Sequence, residues 1–204
     1  MPRLAFKVFV IGFNKCGTRS LHRYFSECGL DSCHGGAQSI DLSVRVLRNI
    51  VLGVPALQGL DHFDAYADIA AVQSQFRQFD CDYPGSRFIF NVRDIDRWIL
   101  SRLNHLNGRN CEFLNLLYGL NLDWQEWVTR WRTEFAAHEL AVAEHFKHRP
   151  ADLLRYDIEK DEPSRLAMFL GISGAAPDRA LPQDGTTKAK HYVLDGKRFV
   201  KRSA

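Results

Sequence analysis

The residues with the clearest capacity for chemistry lie between Val8 and Tyr24, V-F-V-I-G-F-N-K-C-G-T-R-S-L-H-R-Y. An apolar run from Phe6 to Ile11, broken only by Lys7, reads as a buried parallel strand. It gives way to a turn bounded by Gly12 and Gly17. Thr18 then opens a helix with Leu21, Tyr24 and Phe25 on one face. Strand, glycine turn and helix N-terminus make a cradle for an anion, because backbone N–H groups can approach it closely and the helix dipole favours negative charge. Gly12 and Gly17 have the G-x-x-x-x-G spacing of a phosphate-binding loop, but that pattern continues with Lys and then Ser or Thr. Here position 18 is Thr and the lysine stands earlier, at Lys15. Hydroxyls follow at Thr18 and Ser20, with Arg19 between them.

A second segment, Arg87 to Arg102, reads R-F-I-F-N-V-R-D-I-D-R-W-I-L-S-R. Phe88 to Val92 is a short apolar strand after the turn Tyr83-Pro84-Gly85-Ser86, and Asp94 can cap a following helix. Arg93 stands at the carboxyl end of that strand, where open α/β sheets bind their ligands. Ser101 follows eight residues later, about two helical turns on. G-F-N-K-C-G-T-R-S resembles the 5′-phosphosulfate loop of the sulfotransferases that use 3′-phosphoadenosine-5′-phosphosulfate (PAPS). The Arg93 and Ser101 pair resembles that family's 3′-phosphate contacts. An arginine fork matches a phosphate bidentately, and a hydroxyl adds one donor. The family usually has Pro two residues after the arginine; here it is Ile95. A weaker similarity, fold evidence only, covers D-L-L-R-Y-D-I followed by D-E-P and R-L-A-M-F-L-G-I, near the end of many sulfotransferases.

The resemblance implies transfer of a sulfuryl group from PAPS to a hydroxyl or amine of a small-molecule or carbohydrate acceptor, releasing adenosine 3′,5′-bisphosphate (PAP), with no metal. Asn14, Lys15, Cys16, Gly17, Thr18, Arg19 and Ser20 are then the donor loop, and Lys15 the group facing the leaving oxygen. Cys16 is a small filler rather than a nucleophile. The family closes a late basic loop over the nucleotide, and Lys188 and Lys190 stand in the corresponding place. Lys201 and Arg202 read as a solvated terminus. The general base is open between Asp68 and His34, with His62 behind them. The glycines after His34 would let substrate approach. Two other classes remain. A nucleotide or small-molecule kinase would need Mg²⁺ and a lysine at position 18. A non-catalytic nucleotide-binding module would keep the loop without turnover.

Positioning these residues requires an alternation of strands and helices, hence a parallel sheet. The expected fold is α/β, a single three-layer domain over 1–204 with a central parallel sheet flanked by helices, similar to the P-loop architecture of sulfotransferases. Strands are expected at Leu30–His34, Phe63–Ile69 and Asp152–Ile158. Helices are expected at Ser39–Leu52, with Leu42, Val46, Leu47 and Ile50 inward, at Val72–Phe79 and Phe113–Tyr118, and at Asp123–Phe146. The aromatic stripe of the last, from Trp124 to Phe146, reads as core. The 204 residues are 46% hydrophobic and 25% charged, with net charge +3, too weak for a nucleic-acid binder. Five cysteines without paired spacing, and no evident leader, point to a cytoplasmic protein with reduced thiols.

Overall fold

Val8, Phe9 and Val10 are all buried and form β1 (Val8–Val10), the middle strand of a five-stranded parallel sheet. Helices cover both faces of such a sheet, so the strand needs an unbroken apolar run rather than alternation. The computed structural model describes residues 4–105, 110–172, 181, 192–195 and 198–201. In chain order, β1 is followed by α1 (Thr18–Glu27), β2 (Ser32–His34), α2 (Ser39–Val51), β3 (Ala65–Ala67), α3 (Ala70–Ser74), α4 (Phe76–Asp82) and β4 (Arg87–Val92). Then come α5 (Ile95–His105), α6 (Asn110–Tyr118), α7 (Trp124–Phe146), β5 (Leu153–Asp157), α8 (Pro163–Leu170), β6 (Tyr192–Asp195) and β7 (Arg198–Lys201). Among the described residues no helix is long and apolar enough to cross a membrane.

The chain divides into two compact units, Met1–Val92 with His145–Gly185, and Arg93–Glu144 with Thr186–Ala204. The first holds the sheet, in the order β2-β3-β1-β4-β5. From β1 the chain passes out to β2, returns through β3, and then crosses β1 to β4. The order therefore reverses at β1, which opens a crevice at that strand's carboxyl end. On one face Val8, Val10 and Ile89 pack with Leu21, Tyr24 and Phe25 of α1 and Leu166 and Leu170 of α8. On the other, Phe9 sits among Tyr66, Phe79, Tyr83 and Phe88, with ring centroids 4.9–5.9 Å away.

Two helices differ from their expected form. The helix expected over Val72–Phe79 is broken at Gln75 into α3 and α4. In α2, Val46 is buried and Leu42 and Ile50 are half-buried, but Leu47 is exposed. Asp80 on α4 fixes the end of α7. It accepts a hydrogen bond from Arg149 Nη1 (3.0 Å), also pairs with Arg149 Nη2, and lies 2.8 Å from His145 Nε2.

The second unit carries α5, α6, most of α7 and the pair β6–β7. Asp123 caps α7 reciprocally with Glu126. Each backbone N–H donates to the other's carboxylate at 2.8 Å, the arrangement of a capping box. Trp127, Trp131 and Phe135 are buried, as their spacing predicts, while Trp124 is half-buried. Lys201 is exposed, as expected, and ends β7, antiparallel to β6, while Arg202 lies outside the described residues. Asn104 pins β6 from α5, donating to the Tyr192 carbonyl (3.1 Å) and accepting from its N–H (2.9 Å).

Arg149 above all, then His145, hold the Asp80 carboxyl below its ordinary value. A folded-state pKa below the unfolded one gives stability that is complete above the unfolded pKa, about 3.9, and is lost as pH falls through the folded value. Urea midpoints of the wild type should therefore fall below about pH 4, and Asp80→Asn should be less stable at neutral pH with a flatter acid limb.

Candidate functional site

Four strands deliver side chains or turns to the carboxyl edge of the sheet, and the glycine turn after β1 is the most constrained of them. Ile11 N–H donates to the Ile89 carbonyl (2.9 Å), and the chain then passes directly over Asn91 of β4. A Cβ on Gly12 would lie 2.1 Å from the Asn91 carbonyl oxygen, which only glycine avoids. Asn91 is fully buried. Its Oδ1 accepts from Gly12 N–H (2.9 Å) and its Nδ2 donates to the Cys16 carbonyl (2.7 Å). One amide thereby holds both ends of the turn. Gly17, at φ 75°, is the N-cap of α1.

No side chain caps α1 and no acidic residue occupies its first turn. Leu21 N–H donates to the Gly17 carbonyl (3.0 Å), so the N–H groups before it face outward from the helix end. That end offers backbone donors to an anion. Around it Thr18 and Cys16 are buried, Lys15, Gly17 and Ser20 half-buried, and Asn14 and Arg19 exposed.

Lys15 and Asp68 share an unusual backbone. With φ of 65° and 57° they are the non-glycine residues of positive φ among the described residues. An L-residue pays about 1–2 kcal/mol there, a strain that clusters at functional positions. Asp68 follows β3, and His34 ends β2 beside it. His34 Nε2 lies 3.3 Å from Thr18 Oγ1 and 3.6 Å from Asp68 Oδ2. Gly35 makes this approach possible, since a Cβ there would lie 2.2 Å from the Asp68 carbonyl oxygen. Gly35 therefore serves the packing of its own chain.

Burial pushes the Asp68 carboxyl above its ordinary value. Hydrogen bonds from Gly36 N–H and the Thr18 hydroxyl, with the charges of Lys15 and Arg19, offset part of that rise. Burial also lowers the Lys15 ammonium. The Asp68 charge opposes this and the Arg19 charge adds to it. Both charged forms lose water, and each is the other's compensation.

The structure brings Lys15, Thr18, His34 and Asp68, four of the residues singled out in the sequence, together at one edge of the sheet. His62 is not among them. It precedes β3 by three residues, at the strand's amino end, where it is exposed with its ring against Phe63 (4.0 Å). Two residues were missed. Asn91 was absorbed into an apolar strand, although a lone amide in F-I-F-N-V must find partners when buried. His22, four residues from Thr18 on the same helix face, lies 2.9 Å from Ser32 Oγ through Nδ1, with its ring 5.4 Å from that of His34. Burial keeps its pKa below the ordinary histidine value.

The second unit begins at Arg93, which is half-buried. Asp94 caps α5 as expected, accepting from Arg97 N–H through Oδ1 (3.0 Å). Ser101 is half-buried on α5. Lys188 and Lys190 lie outside the described residues.

A family model described as a sulfotransferase domain matches residues 7–189 of the 204. No curated protein matches the chain.

The Asn91 bridge yields a stability test. Asn91→Leu keeps the volume but removes the acceptor of Gly12 N–H and the donor to the Cys16 carbonyl, at about 1–3 kcal/mol each. The variant should unfold at a lower urea concentration, with a loss of about 2–4 kcal/mol at unchanged m-value.

Proposed function

The chain belongs to the sulfotransferase domain family, and we propose that it moves a sulfuryl group from PAPS to a hydroxyl or amine of a small acceptor. The observation that carries this reading is the meeting of Lys15, Thr18, His34 and Asp68 beside the uncapped N-terminus of α1. The residues present fit the donor. Backbone N–H groups, Lys15, Arg19 and two hydroxyls suit a phosphosulfate, and no acidic residue in the first turn opposes it.

When bound, PAPS supplies a sulfuryl group whose bridging oxygen leaves with the nucleotide. The acceptor heteroatom forms a bond to sulfur as the bridging S–O bond breaks, giving PAP and the sulfated product. Lys15 donates to the oxygen that gains charge, and a donor aimed there acts more strongly in the transition state than in the ground state. Thr18, Arg19, Ser20 and loop N–H groups hold the non-bridging oxygens and fix the line of attack. Asp68 takes the acceptor proton, and its raised pKa brings it closer to the operating pH of a base. His34 fixes the carboxylate's orientation from 3.6 Å. From their sequence spacing, Arg93 and Ser101 are assigned to the 3′-phosphate.

Calorimetry without Mg²⁺ tests the donor. PAP should bind more tightly than 5′-AMP. Arg93→Ala should weaken PAP by about 2–3 kcal/mol and leave 5′-AMP nearly unchanged. Equal losses would remove Arg93 from that role.

The site also predicts a bell-shaped pH profile once an acceptor is found by screening with radiolabelled PAPS. Asp68 must be deprotonated, so the rate rises with pH through a value above the ordinary carboxylate range. Lys15 must be protonated, so the rate falls through a value below the ordinary lysine range. Asp68→Asn should lower kcat by about 10²–10⁴ and abolish the rising limb while PAP affinity is kept, with His34→Gln costing less. Lys15→Ala should lower kcat by about 10² or more with a smaller loss of PAP affinity.

A further inference from the structure

Helix α2 presents a second surface, outside the chemistry above. It buries Ser43 and Val46. Ile40, Val44, Leu47 and Val51 are between 41% and 85% exposed. At about 100° per residue these four fall within an arc of about 60°, a straight apolar ridge about 16 Å long. Scattered exposed apolar residues need no explanation, but a contiguous ridge marks an interaction surface.

The order of the ridge identifies its partner. The spacings from Ile40 to Val44, Leu47 and Val51 are four, three and four residues, which read the same from either end. Laid antiparallel on a second copy of itself, the ridge sets Ile40 against Val51 of that copy and Val44 against Leu47. Such self-matching is what a two-fold interface requires. The charges agree. Asp41 and Arg48 are both exposed and lie on the same flank of the ridge, at about 100° and 80° on the helical wheel measured from Ile40. A two-fold axis between antiparallel helices keeps each flank on its own side. Asp41 then meets Arg48 of the second copy, twice per dimer. A parallel pairing sends the flanks to opposite sides and loses the match. An anionic lipid surface would attract Arg48 but repel Asp41 beside it.

We propose that the chain forms a two-fold dimer through antiparallel pairing of α2. One helix pair covers less than the roughly 800 Å² per partner of a standard interface, so the dimer is a reversible one. Sedimentation equilibrium of the full chain between about 1 and 100 µM should show concentration-dependent dimerisation. Val44→Glu with Leu47→Glu should leave a monomer throughout that range, with its helical circular dichroism intact. Asp41→Arg and Arg48→Asp change only exposed charges. Each alone should raise the dimer Kd by about tenfold or more, and the two together should restore it to within about threefold of wild type. A wild type that stays monomeric would overturn the proposal. So would a dimer indifferent to the glutamates, or one that the double charge reversal fails to restore. Flotation of a monomeric wild type with phosphatidylserine vesicles, lost in the glutamate variant, would assign the ridge to a lipid surface instead.

Discussion

The carboxamide of Asn91 is the contact on which the candidate site depends. It is fully buried at the end of β4 and bonded to both ends of a turn that belongs to β1. A glycine turn alone has many shapes, and its glycines lose more freedom on folding than any other residue. Two hydrogen bonds from a rigid strand select one of those shapes. The same closeness dictates Gly12, because no Cβ fits above β4 there. The bridge spans 79 positions of sequence, so closing it carries a chain entropy of about 4 kcal/mol. The loop is local in sequence but not in energy. It takes its form only when β1 and β4 pair.

Around that fixed turn, burial sets the electrostatics. Lys15 and Asp68 are each moved toward their neutral forms by loss of water, and each is held back by the other's charge. A lysine and a carboxylate in water would need neither. On the roles proposed above, the arrangement brings a base and an acid nearer to the pH at which both would be in their working states. Thr18 and His34 complete it from α1 and β2, so three consecutive strand–turn segments must be in register before the groups meet.

Much of this was legible in the sequence because it rests on short-range signals. The apolar runs of β1 and β4, the glycine spacing and the Asp94 and Asp123 caps all express local backbone requirements. The strand ends near His34 and Asp68 could be located for the same reason. What escaped was set by contacts distant in sequence. Asn91 has partners 75 and 79 positions away. The β6–β7 pair is anchored by Asn104, 88 positions from Tyr192. Leu47 fits the inward periodicity of α2 as well as its neighbours do, and only the packed structure shows that it points out. His62 failed for a simpler reason. It lies at the wrong end of the right strand, and residue type alone does not distinguish the two ends.

The left-handed backbone at positions 15 and 68 has a consequence over generations. Glycine adopts that conformation without strain, so at both positions the replacement that relieves the fold also deletes a charged group of the candidate site. Mutational drift filtered for foldedness alone would run downhill toward glycine there. On the roles proposed above, lysine and aspartate would persist under a selection that acts on what the two side chains do. A lineage released from that selection would lose these two residues early, while still keeping its sheet.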